Sequence, residues 1–355
     1  MKKTLLALAT LTAFAGVASA QSSVTVGGIM DVAARSVKNG TAGSISSLSS
    51  GGQATSRIYF RGVEDLGGGL KAGFWLESEI GADNGAAGST VGTATGVFWG
   101  RRSSVSLMGG FGEVRLGRYN TSTFEGFNAV EIFGYVGVAT AANLRGSFYS
   151  NAGLTAAAVR NSNLVTYYLP GGLGGLTGEF QVGAGENAAN QNKSMAARLG
   201  YAAGPVMVSA SYGMFKKDKA MTADLKTVNF GGTFNAGFAI IGALYEQSKY
   251  AALEQKLTTV NLRVPMGAGL IKAQYTKSTG KGNTATPDQY KATSFGLGYV
   301  HNLSKRSSLY ASYGSVDNGG TATTGANFTA TSSGPAGIKR GETSTGYEFG
   351  IRHDF

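Results

Sequence analysis

Apolar and polar residues alternate with period two along most of this chain, and the last nine residues show the pattern plainly. Tyr347, Phe349, Ile351, His353 and Phe355 fall on one side of an extended strand, and Glu348, Gly350, Arg352 and Asp354 on the other. Successive side chains of a strand point to opposite faces, so one face is mainly apolar and the other charged. Read this way, with Gly, Pro, Asn and Asp clusters as connections, the first strands are expected at 24–37, 56–66, up to 80, 97–108 and up to about 119. Eleven more are expected at 157–169, 175–184, 194–202, 206–215, 222–235, 238–250, 257–264, 269–278, 290–302, 307–315 and 344–355. Tight turns fall near residues 67, 110, 171, 204, 236, 266 and 304. Longer loops fall near 45, 88, 138, 189, 218, 253, 284 and 330. Short and long connections alternate over sixteen strands, which is the arrangement of an antiparallel up-and-down barrel with one smooth and one looped rim.

Two solutions share this alternation: a soluble β protein with apolar residues inside, or a barrel in lipid with apolar residues outside. The polar faces decide between them. Arg57, Tyr59 and Arg61 oppose Ile58 and Phe60. Lys71, Trp75, Glu77 and Glu79 oppose Leu70, Ala72, Phe74, Leu76 and Ile80. Arg102, Ser104 and Ser106 oppose Ser103, Val105 and Leu107. A soluble sandwich would crowd these arginines into a dry core, where an unpaired charge costs several kcal/mol. Sixteen strands enclose an aqueous channel, in which that cost falls away. The expectation is an all-β, 16-stranded transmembrane barrel whose lumen carries Arg57, Tyr59, Arg61, Trp75, Glu77 and Arg102. The longest connection, 120–156, carries Phe124, Phe127, Phe133, Tyr135 and Phe148 and few charges. It is too apolar to remain solvated and is expected to pack against something.

Composition narrows the chemistry. The chain has no Cys, two His and five Pro among 355 residues, which excludes disulfides and leaves little for a metal centre or acid–base catalysis. His301 and His353 have no obvious Ser at mid-barrel beside them, so no catalytic residue, metal or cofactor is expected. The net charge is +11, but single Arg and Lys are scattered through alternating strands rather than gathered in basic runs, which argues against nucleic acid. Lys2-Lys3, the apolar stretch from Leu5 to Val17 and Ala18-Ser19-Ala20 form a secretory signal peptide of residues 1–20. Residues 21–355 are then one barrel domain. No later stretch offers the ~18 consecutive apolar residues of a membrane helix.

Several segments, in order, resemble the Gram-negative general porins, in particular their anion-selective β-proteobacterial branch. They are Ser22-Ser23-Val24-Thr25 with Gly28-Ile29-Met30-Asp31, Ser56-Arg57-Ile58 and Arg61 to Lys71. They continue with Arg101-Arg102-Ser103, Gly112 to Arg118, Val159-Arg160-Asn161-Ser162-Asn163, Tyr299 to Arg306, and Gly350 to Phe355. The resemblance implies a homotrimer in the outer membrane, in contact with its lipids and lipopolysaccharide, that passes small anions and hydrophilic solutes by diffusion. It implies that the long third loop folds into the lumen, opposite wall arginines that map to Arg57, Arg102 and Arg160. The acid at the tip of that loop in general porins has its nearest match in Glu131-Ile132-Phe133-Gly134, so Glu131 and Phe133 are the inward-loop candidates. Glu77 is expected to offset part of the arginine charge, and Arg101 to sit at a rim or subunit contact. Phe355 resembles the family's assembly signal. A substrate-specific channel for phosphate or organic acids is the alternative function.

Overall fold

A computed structural model describes residues 23–91, 94–151, 159–185, 193–216, 221–282, 289–319, 328–331 and 334–355. The signal-peptide expectation lies outside these residues. The barrel begins with β1 (Ser23–Asn39), β2 (Ser44–Ser50), β3 (Arg57–Gly67) and β4 (Leu70–Glu79), then a separate small hairpin, β5 (Ser89–Val91) and β6 (Ala94–Val97). It continues through β7 (Arg102–Gly109), β8 (Gly112–Asn120), β9 (Arg160–Tyr168), β10 (Leu176–Gly183), β11 (Ser194–Ala203) and β12 (Val206–Phe215). The remaining strands are β13 (Leu225–Asn235), β14 (Ile240–Tyr250), β15 (Leu253–Met266), β16 (Gly269–Lys281), β17 (Ala292–Asn302), β18 (Ser307–Asn318) and β19 (Thr343–Asp354). Each pairs antiparallel with its neighbour, and β19 returns to β1 in the register Ile29 to Asp354 through Asn39 to Ser344. Closure removes the unpaired strand edges that lipid cannot hydrogen-bond.

The barrel has sixteen staves because β2 and β3 share one. The Ser23–Ile29 half of β1 pairs with β3, and its Val32–Lys38 half pairs with β2. The break between them, residues 51–56, is tied to the buried carboxylate of Asp31. It accepts the backbone N–H groups of Gly52, Gln53 and Ala54 at 3.3, 2.8 and 2.6 Å, and the Tyr310 hydroxyl donates to it as well. The Ser56 hydroxyl accepts from the Asp31 N–H at 2.9 Å.

Two expected long loops are not loops. Residues 44–50 continue the wall after a single 3-10 turn at Gly40–Ala42, and only residues 251–252 separate β14 from β15. Their polar composition suggested loops. However, β15 and β16 run to 14 and 13 residues, beyond the ~9–11 that cross a bilayer. The wall therefore rises past the apolar band, where an outward residue meets polar surroundings.

The apolar faces point outward. In β19, Tyr347 and Phe349 are 60% and 61% exposed while Ser344 and Glu348 are 0% and 4%. Leu199, Val208, Phe230, Ile241 and Val260 continue this outer surface, and Ser209, Ser211, Asn229, Glu246 and Asn261 lie inside. A soluble barrel would reverse these faces; this one is built for lipid.

Candidate permeation site

The inward face of β3, β4 and β7 gathers the charged residues expected there. Tyr59 lies opposite Glu77, and Arg61 opposite Trp75. Glu77 in turn faces Arg102, and Trp75 faces Ser104. Directly paired residues on neighbouring strands share a face, so all of these line the lumen together with Arg57.

Glu77 is the junction of this wall. Its Oε1 lies 3.3 Å from an Arg57 nitrogen and 2.6 Å from Arg101 Nε, and a second Arg101 nitrogen reaches Glu79 at 3.8 Å. Arg101 is buried rather than placed at a rim or subunit contact. It precedes β7 at a turn, where strand alternation does not apply. Arg102 has a different environment. Its Nε donates to Ser104 at 3.2 Å, and its guanidinium lies 4.1 Å over the Trp75 ring and 4.3 Å over Tyr119. Arg160, the first residue of β9, has an Nε without a hydrogen-bond partner among the described residues. It interacts electrostatically with Arg101, Arg118 and Glu77.

Arg118 joins this group through a bulge. The β8–β9 register shifts between Gly117 and Tyr119, and Gly117 has φ +127°, with the Ser103 carbonyl where a Cβ would stand. Only glycine accommodates both conditions. The shift lets Arg118 donate to Gly100 O at 2.6 Å and to Ser162 Oγ at 2.9 Å. Five arginines (Arg57, Arg101, Arg102, Arg118 and Arg160) thus meet two glutamates on one wall. Arg101 and Arg118 escaped sequence reasoning because a turn and a bulge reset the phase. The paired Arg101-Arg102 was the one available signal.

The third-loop segment packs against the opposite side. It holds two helices, Ser122–Asn128 and Ala142–Asn151. Inward side chains of β13, β15 and β16 bind its backbone. Asn229 donates to Thr123 O at 2.8 Å, Asn261 to Val130 O at 2.9 Å, and Lys272 to Ile132 O at 3.1 Å. Arg145 is fully buried; its Nε lies 2.6 Å from Glu246 Oε1, and it donates to the Tyr135 hydroxyl at 3.0 Å. Phe127, Val130, Leu144, Phe148 and Tyr149 form an apolar core with Leu225, Leu244 and Leu257 of the wall.

Glu131 is turned into this loop. Its Oε2 accepts the N–H groups of Phe133 and Tyr135 at 2.9 and 3.1 Å, and its Oε1 accepts Thr140 Oγ1 and Gln274 Nε2 at 2.9 and 3.1 Å. Phe133 is buried, with the Lys272 ammonium 4.6 Å from its ring centre. Glu125, which sequence reasoning passed over, accepts from Asn120 Nδ2 at 2.6 Å at the foot of the first helix. Phe355 exchanges both backbone hydrogen bonds with Gly28, at 3.0 and 3.1 Å, so the last residue zips the barrel seam.

Comparison with known proteins agrees with this architecture. The Gram-negative porin family matches residues 7–321. Outer membrane porin protein 32 of Delftia acidovorans is 36% identical over all of both chains. An outer membrane porin protein of Bordetella pertussis is 27% identical, over 89% of this chain and 86% of that protein. Among solved structures, an anion-selective porin from Comamonas acidovorans superposes with a TM-score of 0.81 at 32% identity, covering 94% of this chain and all of that one. The trimer form of OmpT of Vibrio cholerae shares the fold, with a TM-score of 0.65 at 17% identity over 94% of this chain and 99% of that one.

Proposed function

Because the chain belongs to the Gram-negative porin family and is an integral barrel of the outer membrane, we propose that its pore prefers anions and that Arg57, Arg102 and Arg160 set this preference. The observation that carries the reading is the charge imbalance across the lumen. One wall presents Arg57, Arg61, Arg101, Arg102, Arg118 and Arg160 against Glu77 and Glu79, with Arg115 paired to Glu113, while Glu131, the acid nearest the tip of the facing loop, is consumed by hydrogen bonds from that loop and from Gln274. The similar Comamonas porin is described as anion-selective.

Solutes cross by diffusion. The third loop narrows the water-filled lumen, and the low-dielectric walls around the narrowing focus the field of a few fixed charges. A small anion gains counter-charge from the wall as it sheds part of its hydration. Each ~1.4 kcal/mol of differential potential gives about tenfold preference. The single charge of Glu77 is shared between Arg57 and Arg101, and Glu79 reaches only Arg101, so the wall keeps a net positive field to which Arg57, Arg102 and Arg160 contribute.

The test is the reversal potential of the purified protein in a planar bilayer under a KCl gradient. Chloride preference is expected, and weaker preference in Arg57→Ala/Arg102→Ala. A cation preference, or selectivity indifferent to both changes, overturns the reading. The chain is further proposed to act as a homotrimer among outer-membrane lipids and lipopolysaccharide, after loss of residues 1–20. Crosslinking and the mass of the mature protein test these points.

A further inference from the structure

Guanidinium and aromatic groups alternate along the arginine wall in one continuous arc. Arg61 lies over Trp75 at 5.3 Å and over Tyr59 at 5.7 Å. Arg102 lies over Trp75 at 4.1 Å and over Tyr119 at 4.3 Å. Arg115 follows, 4.6 Å from Tyr119 and 4.4 Å from Tyr168. The arc is not uniform. Arg115 is neutralised by Glu113 at 2.7 Å and bonded to the Tyr168 hydroxyl at 2.6 Å. Arg61 and Arg102 have no carboxylate partner among the described residues, yet they flank the same indole.

Trp75 and Tyr59 lie 5.5 Å apart and tilted by 38°. With the exposed Arg61 they make a tilted platform on the tight-turn side of Arg57, four residues farther along β3. A guanidinium lying over a ring has that face covered and its N–H edge free, apart from the Arg102 Nε that donates to Ser104. That edge matches a carboxylate in two parallel hydrogen bonds. Tyr59 and Trp75 both remain partly exposed beside these guanidiniums, and that surface offers π contact to a second planar group.

We propose that Arg61, Trp75 and Tyr59, with Arg102 beside them, form a subsite for aromatic monocarboxylates on the lumen wall. The carboxylate is held by guanidinium edges and the ring stacks on the platform. The proposal rests on the lumen being an anion path and names a solute class for it. A site built only of positive charge would hold any monocarboxylate alike. A merely greasy one would prefer the more hydrophobic ring. Only a stacked site prefers the planar ring.

The chain has two tryptophans, Trp75 and Trp99, so Trp99→Phe leaves Trp75 as a single reporter. Its fluorescence, excited at the red edge of the indole band, is titrated in the refolded full-length barrel with benzoate, cyclohexanecarboxylate and acetate. Saturable benzoate quenching is expected, about two- to tenfold tighter than for cyclohexanecarboxylate. Adding Arg61→Lys retains the charge and should abolish the preference between the two rings; Arg61→Gln should weaken both. Equal affinity for the two rings, or quenching that does not saturate, overturns the subsite, and neither outcome depends on whether the Arg61 variants fold. The KCl reversal potential of the same preparation separates the two readings. Chloride preference without ring discrimination removes only the subsite, whereas cation preference removes the anion path itself.

Discussion

Glu77 sets the charge balance of the lumen wall, because one carboxylate oxygen serves both Arg57 and Arg101. Removing its charge while keeping its shape leaves Arg57 without a carboxylate partner among the described residues and Arg101 with only Glu79, at 3.8 Å. Two unit charges at about 4 Å interact by about 1 kcal/mol even in bulk water, so Glu77→Gln is expected to raise the anion-to-cation permeability ratio about fivefold. A bilayer reversal potential measures this directly, and a fall in the ratio would contradict the assigned balance. Glu131 has the opposite character: it accepts four hydrogen bonds within and around the loop tip. Glu131→Ala strands buried donors at about 1–3 kcal/mol each, and should appear as open-channel noise more than as altered selectivity. Strand alternation was enough to place Arg57, Tyr59, Arg61, Trp75, Glu77 and Arg102 on one face, because a regular strand fixes the direction of every second side chain. It could not find Arg101, which precedes the strand, or Arg118, which sits at the Gly117 bulge. Nor could it orient Glu131, since a loop carboxylate takes its direction from backbone donors that exist only once the loop has folded.

Among the elements, the third-loop segment depends most on a single contact. The second helix, Ala142–Asn151, is fixed by the fully buried Arg145–Glu246 pair, which Asn229 supports with a 3.0 Å bond to the second carboxylate oxygen. Breaking such a pair from one side typically costs about 3–5 kcal/mol, because the other charge is left buried, whereas replacing both with apolar groups is often neutral. Glu246→Leu alone is therefore expected to loosen the loop, raising single-channel conductance and promoting closure under voltage. Arg145→Met/Glu246→Leu should recover most of the wild-type behaviour. If the double replacement were as disturbed as the single one, the pair would not be the anchor. The same segment explains a limit of the sequence. Its length and aromatic content marked it as packed against something, but its partners Asn229, Asn261 and Lys272 are isolated polar residues in strands about 100 positions or more away. The 44–50 and 251–252 connections were misjudged for the reason that composition reports solvent. Where the wall rises clear of lipid, a strand can be as polar as a loop.

For the whole molecule, the inside-out distribution of apolar residues makes the two faces of one strand respond oppositely to charge. Leu199 is 58% exposed on the lipid side of β11, and Leu199→Arg should cost about 2–4 kcal/mol if that position lies near the bilayer midplane. A charge added on the inward face of the same strand should cost far less. Urea titration of folding into vesicles measures both, and equal costs would argue against the lipid-facing assignment. The lumen brings a further consequence, because a filter made of fixed charges acts through ions that salt can screen. The Debye length falls from about 10 Å at 0.1 M to about 3 Å at 1 M, shorter than the span of a wall that runs from Arg57 on β3 to Arg160 on β9. Reversal potentials at the same concentration ratio, taken around low and high mean KCl, should therefore show anion preference declining as salt rises. A sieve that worked by width alone would return the same selectivity at both. The arginine wall predicts the decline, and a flat response would mean that the wall charges do not govern what passes.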